Sequence, residues 1–142
     1  MEIITDGRKE SLILLVDDQI ENLHLLGNIL SDYRKAVSKS GEEAVEIALK
    51  TRPDLIILDI MMPVMDGFQV CQILKSKPET RDIPIIFVTA LTRKDDIIKG
   101  FELGGCDFIL KPFDSRELLM RVNTHLDLRR ARETVIRQNE FI

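Results

Sequence analysis

Asp17 and Asp18 directly follow the apolar run Leu12-Ile13-Leu14-Leu15-Val16, and Asp59 follows Leu55-Ile56-Ile57-Leu58. Thr89 follows Ile85-Ile86-Phe87-Val88, and Lys111 follows Phe108-Ile109-Leu110. Continuous apolar runs of this length suit strands buried on both faces, as in a parallel sheet. Parallel strands bring their carboxyl ends to one edge, and in an open α/β sheet ligands bind in the crevice outside that edge. The five polar side chains are therefore expected to converge. Any one of them alone reads as a helix cap, as Asp18 does beside a helix start. Four coincident strand ends are hard to attribute to capping.

Three carboxylates crowded against one ammonium repel one another, and like charges raise a carboxyl pKa unless something positive lies between them. A hard divalent cation solves this, and oxygen donors with free water positions suit Mg²⁺. The cluster is read as a metal-assisted anion site, not as a buried salt bridge, with Lys111 pairing with the anion as a mobile point charge. The anion that fits is phosphoryl. A carboxylate beside Mg²⁺ acts as a nucleophile to form an aspartyl-phosphate, while metal and lysine offset charge on the transferring group. A hydroxyl such as that of Thr89 then bonds a phosphoryl oxygen, which contributes roughly 1.5–3 kcal/mol. That is the scale separating two conformations of a switch.

The elements that must position these residues are legible in the pattern. Ile20, Leu23, Leu26 and Leu30 recur at helical spacing. Ser40-Gly41-Glu42-Glu43 reads as a capping box opening a helix that buries Ala44, Val45, Ala48 and Leu49, with Pro53 beyond its end. Gly67, Cys71 and Leu74 mark a third helix, and residues Arg93 to Leu103 a fourth, ended by Gly104-Gly105. Asp114-Ser115-Arg116-Glu117 opens a fifth through Leu118, Leu119 and Val122. Arg34 to Ser38 is a weaker strand whose polarity suggests a sheet edge. Strands alternating with helices imply a doubly wound α/β domain, a flavodoxin-like (βα)5 unit with a five-stranded parallel sheet of order 2-1-3-4-5.

Composition narrows the function classes. The 142 residues fit one domain. A net charge of −4 gives no electrostatic case for direct nucleic-acid binding. No apolar run approaches the ~20 residues of a membrane helix, and Met1 to Ser11 lacks a signal peptide's apolar stretch. Cys71 and Cys106 stand outside any metal-ligand spacing and read as reduced, mostly buried thiols. The expected location is the cytoplasm.

These residues resemble the response-regulator receiver family. The likeness spans roughly Leu12 to Leu126. It rests on four blocks in order: Leu15-Val16-Asp17-Asp18; Leu58-Asp59-Ile60-Met61-Met62-Pro63-Val64-Met65-Asp66-Gly67; Val88-Thr89-Ala90; and Lys111-Pro112-Phe113. The resemblance implies that Asp59 is the phospho-acceptor, in a two-component switch rather than a turnover enzyme. It implies Asp18 and Asp17 as metal carboxylates, the former direct and the latter partly through water. Met61 would lend its backbone carbonyl, to Mg²⁺ or to Mn²⁺ as a substitute. Thr89 matches the switch hydroxyl and Lys111 the phosphate-binding lysine, before a Lys111-Pro112 bond that is usually cis in the family. Small Ala90 leaves the phosphate approachable. Phe108 corresponds to the switch aromatic, a role set against plain core packing. Gly104-Gly105-Cys106 departs from the family's alanine-glycine-acidic run.

The implied partner is a sensor histidine kinase or phosphotransfer protein. A homodimer is expected through the fourth helix, fifth strand and fifth helix or through the C-terminal arm. Expected boundaries are a polar leader at 1–11, the receiver at 12–126, and an extension of the last helix at 127–142. Leu128, Ala131, Val135 and Ile142 suggest a coiled-coil linker there to an output domain, against a frayed helix end. Apolar Met61 and Leu91 beside the phosphoryl group predict slow self-dephosphorylation. Two other classes compete. A haloacid-dehalogenase-type phosphatase needs a second Asp two positions after Asp17, where Gln19 stands. A receiver-shaped interaction module that is never phosphorylated would have lost one of the key polar residues, and none is lost. His24 and His125 read as surface or packed residues, not relay or metal ligands.

Overall fold

The computed structural model describes residues 10–90 and 93–140, with side chains described through residue 134. Five βα units follow one another: β1 Leu12–Val16, α1 Ile20–Ile29, β2 Arg34–Ser38, α2 Gly41–Thr51, β3 Leu55–Asp59, α3 Gly67–Lys75, β4 Ile85–Thr89, α4 Lys94–Glu102, β5 Asp107–Leu110 and α5 Ser115–Glu140. All strand pairs are parallel and the sheet order is β2-β1-β3-β4-β5, the flavodoxin-like arrangement expected. The weakly apolar β2 lies at an edge. The run-like strands β1, β3 and β4 are central and buried on both faces, because helices cover both sides of a parallel sheet.

Strand alternation divides the core in two. Leu14, Val16, Ile56, Leu58, Ile85 and Phe87 meet α2 and α3 through Ala44, Ala48, Val70, Cys71 and Leu74. Ile13, Leu15, Leu55, Ile57, Ile86 and Val88 meet α1 and α5 through Leu23, Leu26, Leu118, Val122 and Leu126. Burying each such aliphatic side chain contributes roughly 1.5–3 kcal/mol, so the sheet is rigid and its strand ends are fixed.

Local details depart from the sequence reading in three places. Ile20 opens α1 at the rim and is 44% exposed instead of lying on the core face. Val45 and Leu49 on α2 are only half-buried. Ser40 accepts the Glu43 amide, but the reciprocal capping box occurs at α3, where Asp66 and Gln69 each bond the other's backbone. Asp114 does cap α5, accepting the Glu117 amide at 3.0 Å.

Beyond Leu126, α5 continues along the pole opposite the strands' carboxyl ends. There Arg129 donates to the carbonyls of Pro53 and Asp54 at 3.2 and 3.0 Å, and Arg130 to the Ser11 hydroxyl at 2.7 Å. Residues 1–9, Leu91 and the side chains of Val135 and Ile142 lie outside the described residues.

The Gly104-Gly105 pair is a packing requirement. Gly104 closes α4 at φ +105°, and a Cβ on Gly105 would sit 2.3 Å from the fully buried Phe87 ring. Gly105→Ala is expected to destabilise the fold by about 2–3 kcal/mol through overpacking, measured as a lowered urea midpoint; an unchanged midpoint would refute the close contact.

Candidate functional site

Register carries the polar residues to one edge. Val16 pairs with Leu58, Asp59 with Val88 and Thr89 with Leu110, so the residues that end β1, β3, β4 and β5 lie side by side. The peptide bond between Lys111 and Pro112 is cis, and the Lys111 amide donates to the Thr89 carbonyl at 3.0 Å. One carboxylate oxygen from each of Asp17, Asp18 and Asp59 lies within 4.8 Å of the others. Asp17 and Asp59 are buried, at 1% and 3% exposure, whereas Asp18 faces solvent.

Lys111 reaches into this group and contacts two of its carboxylates. Its Nζ lies 3.1 Å from Asp17 Oδ2 and 3.4 Å from Asp59 Oδ1. Two buried carboxylates side by side draw the ammonium toward both, so Lys111 bridges them. Backbone amides complete the shell. Gln19 donates to Asp17 Oδ1 at 2.9 Å and Met61 to Asp59 Oδ1 at 3.3 Å.

This neutralisation is incomplete. Burial, followed by the charge of Asp17, pushes the Asp59 carboxyl up from 3.8 to about 6, although Lys111 and the Met61 amide pull the other way. Positive charge is still wanted at this spot. The donors are all oxygens, two are shielded and one is open to water, which fits a hard divalent ion such as Mg²⁺ that keeps part of its hydration.

The remaining predicted residues have distinct places. Thr89 is fully buried at the end of β4. Phe108 does not line the cleft: it sits half-buried under α4, with ring centroids 5.1 Å from Phe87 and 5.3 Å from Phe101. Gly100 makes room for it, since a Cβ there would meet the ring at 2.4 Å. His24 is exposed on α1. His125 is paired at 3.0 Å with Asp107, which also holds Arg121 at 2.8 Å, at the start of β5 and away from the cleft.

Gly67 is a site residue that the periodicity concealed. It reads as one point on a helix face, yet a Cβ there would lie 2.3 Å from the Asp59 carbonyl oxygen. Its amide donates to the Ile60 carbonyl at 2.8 Å and folds the loop back beneath Asp59. The signal was present in the Asp66-Gly67 pair directly before a helix.

Comparison with known proteins agrees with this geometry. The family description "Response regulator receiver domain" matches residues 13–123. A probable cyclic di-GMP phosphodiesterase of Vibrio cholerae is 38% identical over 131 residues, covering 92% of this chain and 30% of that protein. Response regulator PleD of Caulobacter vibrioides is 44% identical over 114 residues, covering 79% of this chain and 25% of that protein. The chain thus spans a third or less of the length of these two relatives. Among solved structures, the receiver domain of sensor histidine kinase PA1611 from Pseudomonas aeruginosa superposes with a TM-score of 0.77 at 29% identity. It covers 83% of this chain and 98% of that one, and it has a magnesium ion coordinated in its active site cleft. With its acidic pocket and parallel sheet, the chain belongs to the response regulator receiver domain family, the receiver module of two-component signalling proteins.

Proposed function

We propose that Asp59 accepts a phosphoryl group from a phosphohistidine on a sensor histidine kinase or phosphotransfer protein. The observation that carries this reading is a buried carboxylate at a strand end, 3.4 Å from a lysine and sharing its pocket with two further carboxylates. An Asp59 oxygen attacks phosphorus, the N–P bond breaks, and the leaving imidazole takes its electron pair. Asp17, Asp18, Asp59 and the Met61 carbonyl would hold Mg²⁺, or Mn²⁺ in its place. The bound ion supplies charge neutralisation for the transferring group. Lys111 then exchanges its carboxylate contact for a phosphoryl oxygen, and Thr89 donates its hydroxyl to another.

Phe108 follows Thr89 inward, and the exposed apolar side chains Ile98, Phe101, Leu110 and Met120 on α4, β5 and α5 form the surface that changes. This surface, or the α5 arm, would carry homodimerisation. Around the cleft, Met61 is 60% and Val64 91% exposed, and Val64 holds φ +69°. Apolar side chains kept outward there suit a rim that a donor protein covers. A phosphatase with Asp17 as nucleophile gains no support, because both Asp17 oxygens are engaged by Lys111 and the Gln19 amide.

Four outcomes are expected. Asp59→Asn abolishes acid-labile uptake of label from a small phosphodonor, and undiminished labelling would remove the central role of Asp59. In the metal-free protein, the folded state holds the Asp59 proton more tightly than the unfolded chain, so wild-type stability falls as pH rises from about 4 through 6. Asp59→Asn escapes this loss: its stability should match wild type below about pH 4 and exceed it by up to about 3 kcal/mol above pH 6, by chemical denaturation. Mg²⁺ affinity should drop as pH falls through about 6, since protonated Asp59 is no longer a donor. A pH-independent calorimetric affinity would contradict it. Finally, Met61→Glu, which puts a polar group beside the acceptor, should quicken decay of the phosphorylated state; unaltered decay would show that Met61 does not set the lifetime.

A further inference from the structure

At the pole of the sheet opposite the phospho-acceptor cleft, a groove of about 630 Å³ opens between the α3–β4 connection and α5. Pro84, Cys106 and Leu128 supply an apolar floor and wall. Leu128 is 60% exposed, and the Cys106 thiol is pushed up to about 11 by burial, so it stays neutral. Gly104 keeps the opening clear, since a side chain there would press on the Lys75 stem at 3.0 Å. The lining carries four cations, Lys75, Arg81, Arg129 and Arg132, against one carboxylate, Asp82. That is an inverted balance for a chain of net charge −4.

The inner cations are already engaged. Lys75 Nζ donates to the carbonyls of Arg81 and Ile83 at 3.0 and 2.7 Å. Arg129 holds Pro53, Asp54 and Glu133, and His125 is paired with Asp107. The guanidinium groups of Arg81 and Arg132 make no hydrogen bond or ion pair among the described residues. A small-molecule pocket directs a few polar groups inward to one point. Here the inward groups are satisfied and only rim charges beside an apolar floor are left, which is the anatomy of a protein interface, where Arg is enriched.

We propose that this groove docks an acidic amphipathic segment of a protein partner, with an apolar side chain against Leu128 and Cys106 and carboxylates on Arg81 and Arg132. Arginine suits this role because its planar fork meets a carboxylate bidentately. The surface lies at the far ends of the strands from Asp59. It is separate from the apolar face of α4, β5 and α5 but shares Leu128 and Arg132 with the α5 arm, so a partner docked here would occupy that part of the arm.

The test uses the full chain and a short synthetic amphipathic peptide of glutamate and leucine, with its lysine-for-glutamate counterpart and ATP as comparison probes. Amide shift changes on adding the acidic peptide should centre on Gly104, Cys106, Leu128 and Arg132. Affinity by fluorescence anisotropy should fall with added salt, and roughly ten-fold in the double variant Arg81→Ala, Arg132→Ala. Labelling of Asp59 by a small phosphodonor should be unchanged in that variant. Equal binding of the lysine peptide, perturbation by ATP as large as by the acidic peptide, shifts centred on Ile98 and Phe101, or full affinity in the double variant would each overturn the proposal.

Discussion

Everything at the functional edge follows from the repulsion between two carboxylates buried side by side. Asp17 directly follows β1 and Asp59 ends the neighbouring β3, in a sheet too well packed to let them separate. Water is largely excluded, so the charges must be met by protein or by an ion. Lys111 reaches both, yet Asp59 still titrates near 6. A site left short of positive charge suits a divalent ion.

The sheet is the instrument that imposes this arrangement, and glycines set the tolerances. Gly67 lets the loop after β3 pass directly beneath Asp59, and Gly100 and Gly105 let Phe108 and Phe87 stack under α4. Phe68, Phe87, Phe108 and Phe101 form a continuous column with centroid spacings of 5.6, 5.1 and 5.3 Å. The α4 segment buries only Gly100 among its helical residues. Its contact with the body runs through the aromatic column, where Phe101 meets Phe108.

The opposite pole is built on different principles. Arg129 ties α5 to the residues before β3, and Arg130 ties it to Ser11 before β1. These two strands carry Asp59 and Asp17 at or beside their other ends. The arm is thus anchored beside the central strands, whereas α4 rests on the body through the aromatic column. The Asp107–Arg121–His125 cluster fastens the middle of α5 to β5 in the same manner.

The strand runs, the sheet order, the helix spans and the residues that follow each strand could be read from the amino-acid order. All of these are written in local periodicity and in the position of a polar residue after an apolar run. The α/β architecture and the meeting of Asp17, Asp18, Asp59 and Lys111 were accordingly legible. Only the packed fold settles that Asp17 is the buried partner of Lys111 while Asp18 faces water, that Ile20 turns outward, and that Gly67 lies against Asp59. It alone gathered Arg81, Cys106 and Arg132 at the far pole. Those outcomes depend on distances between residues remote in the chain, which no periodicity records, and on the competition for a buried charge, which is settled only when every neighbouring group is in place.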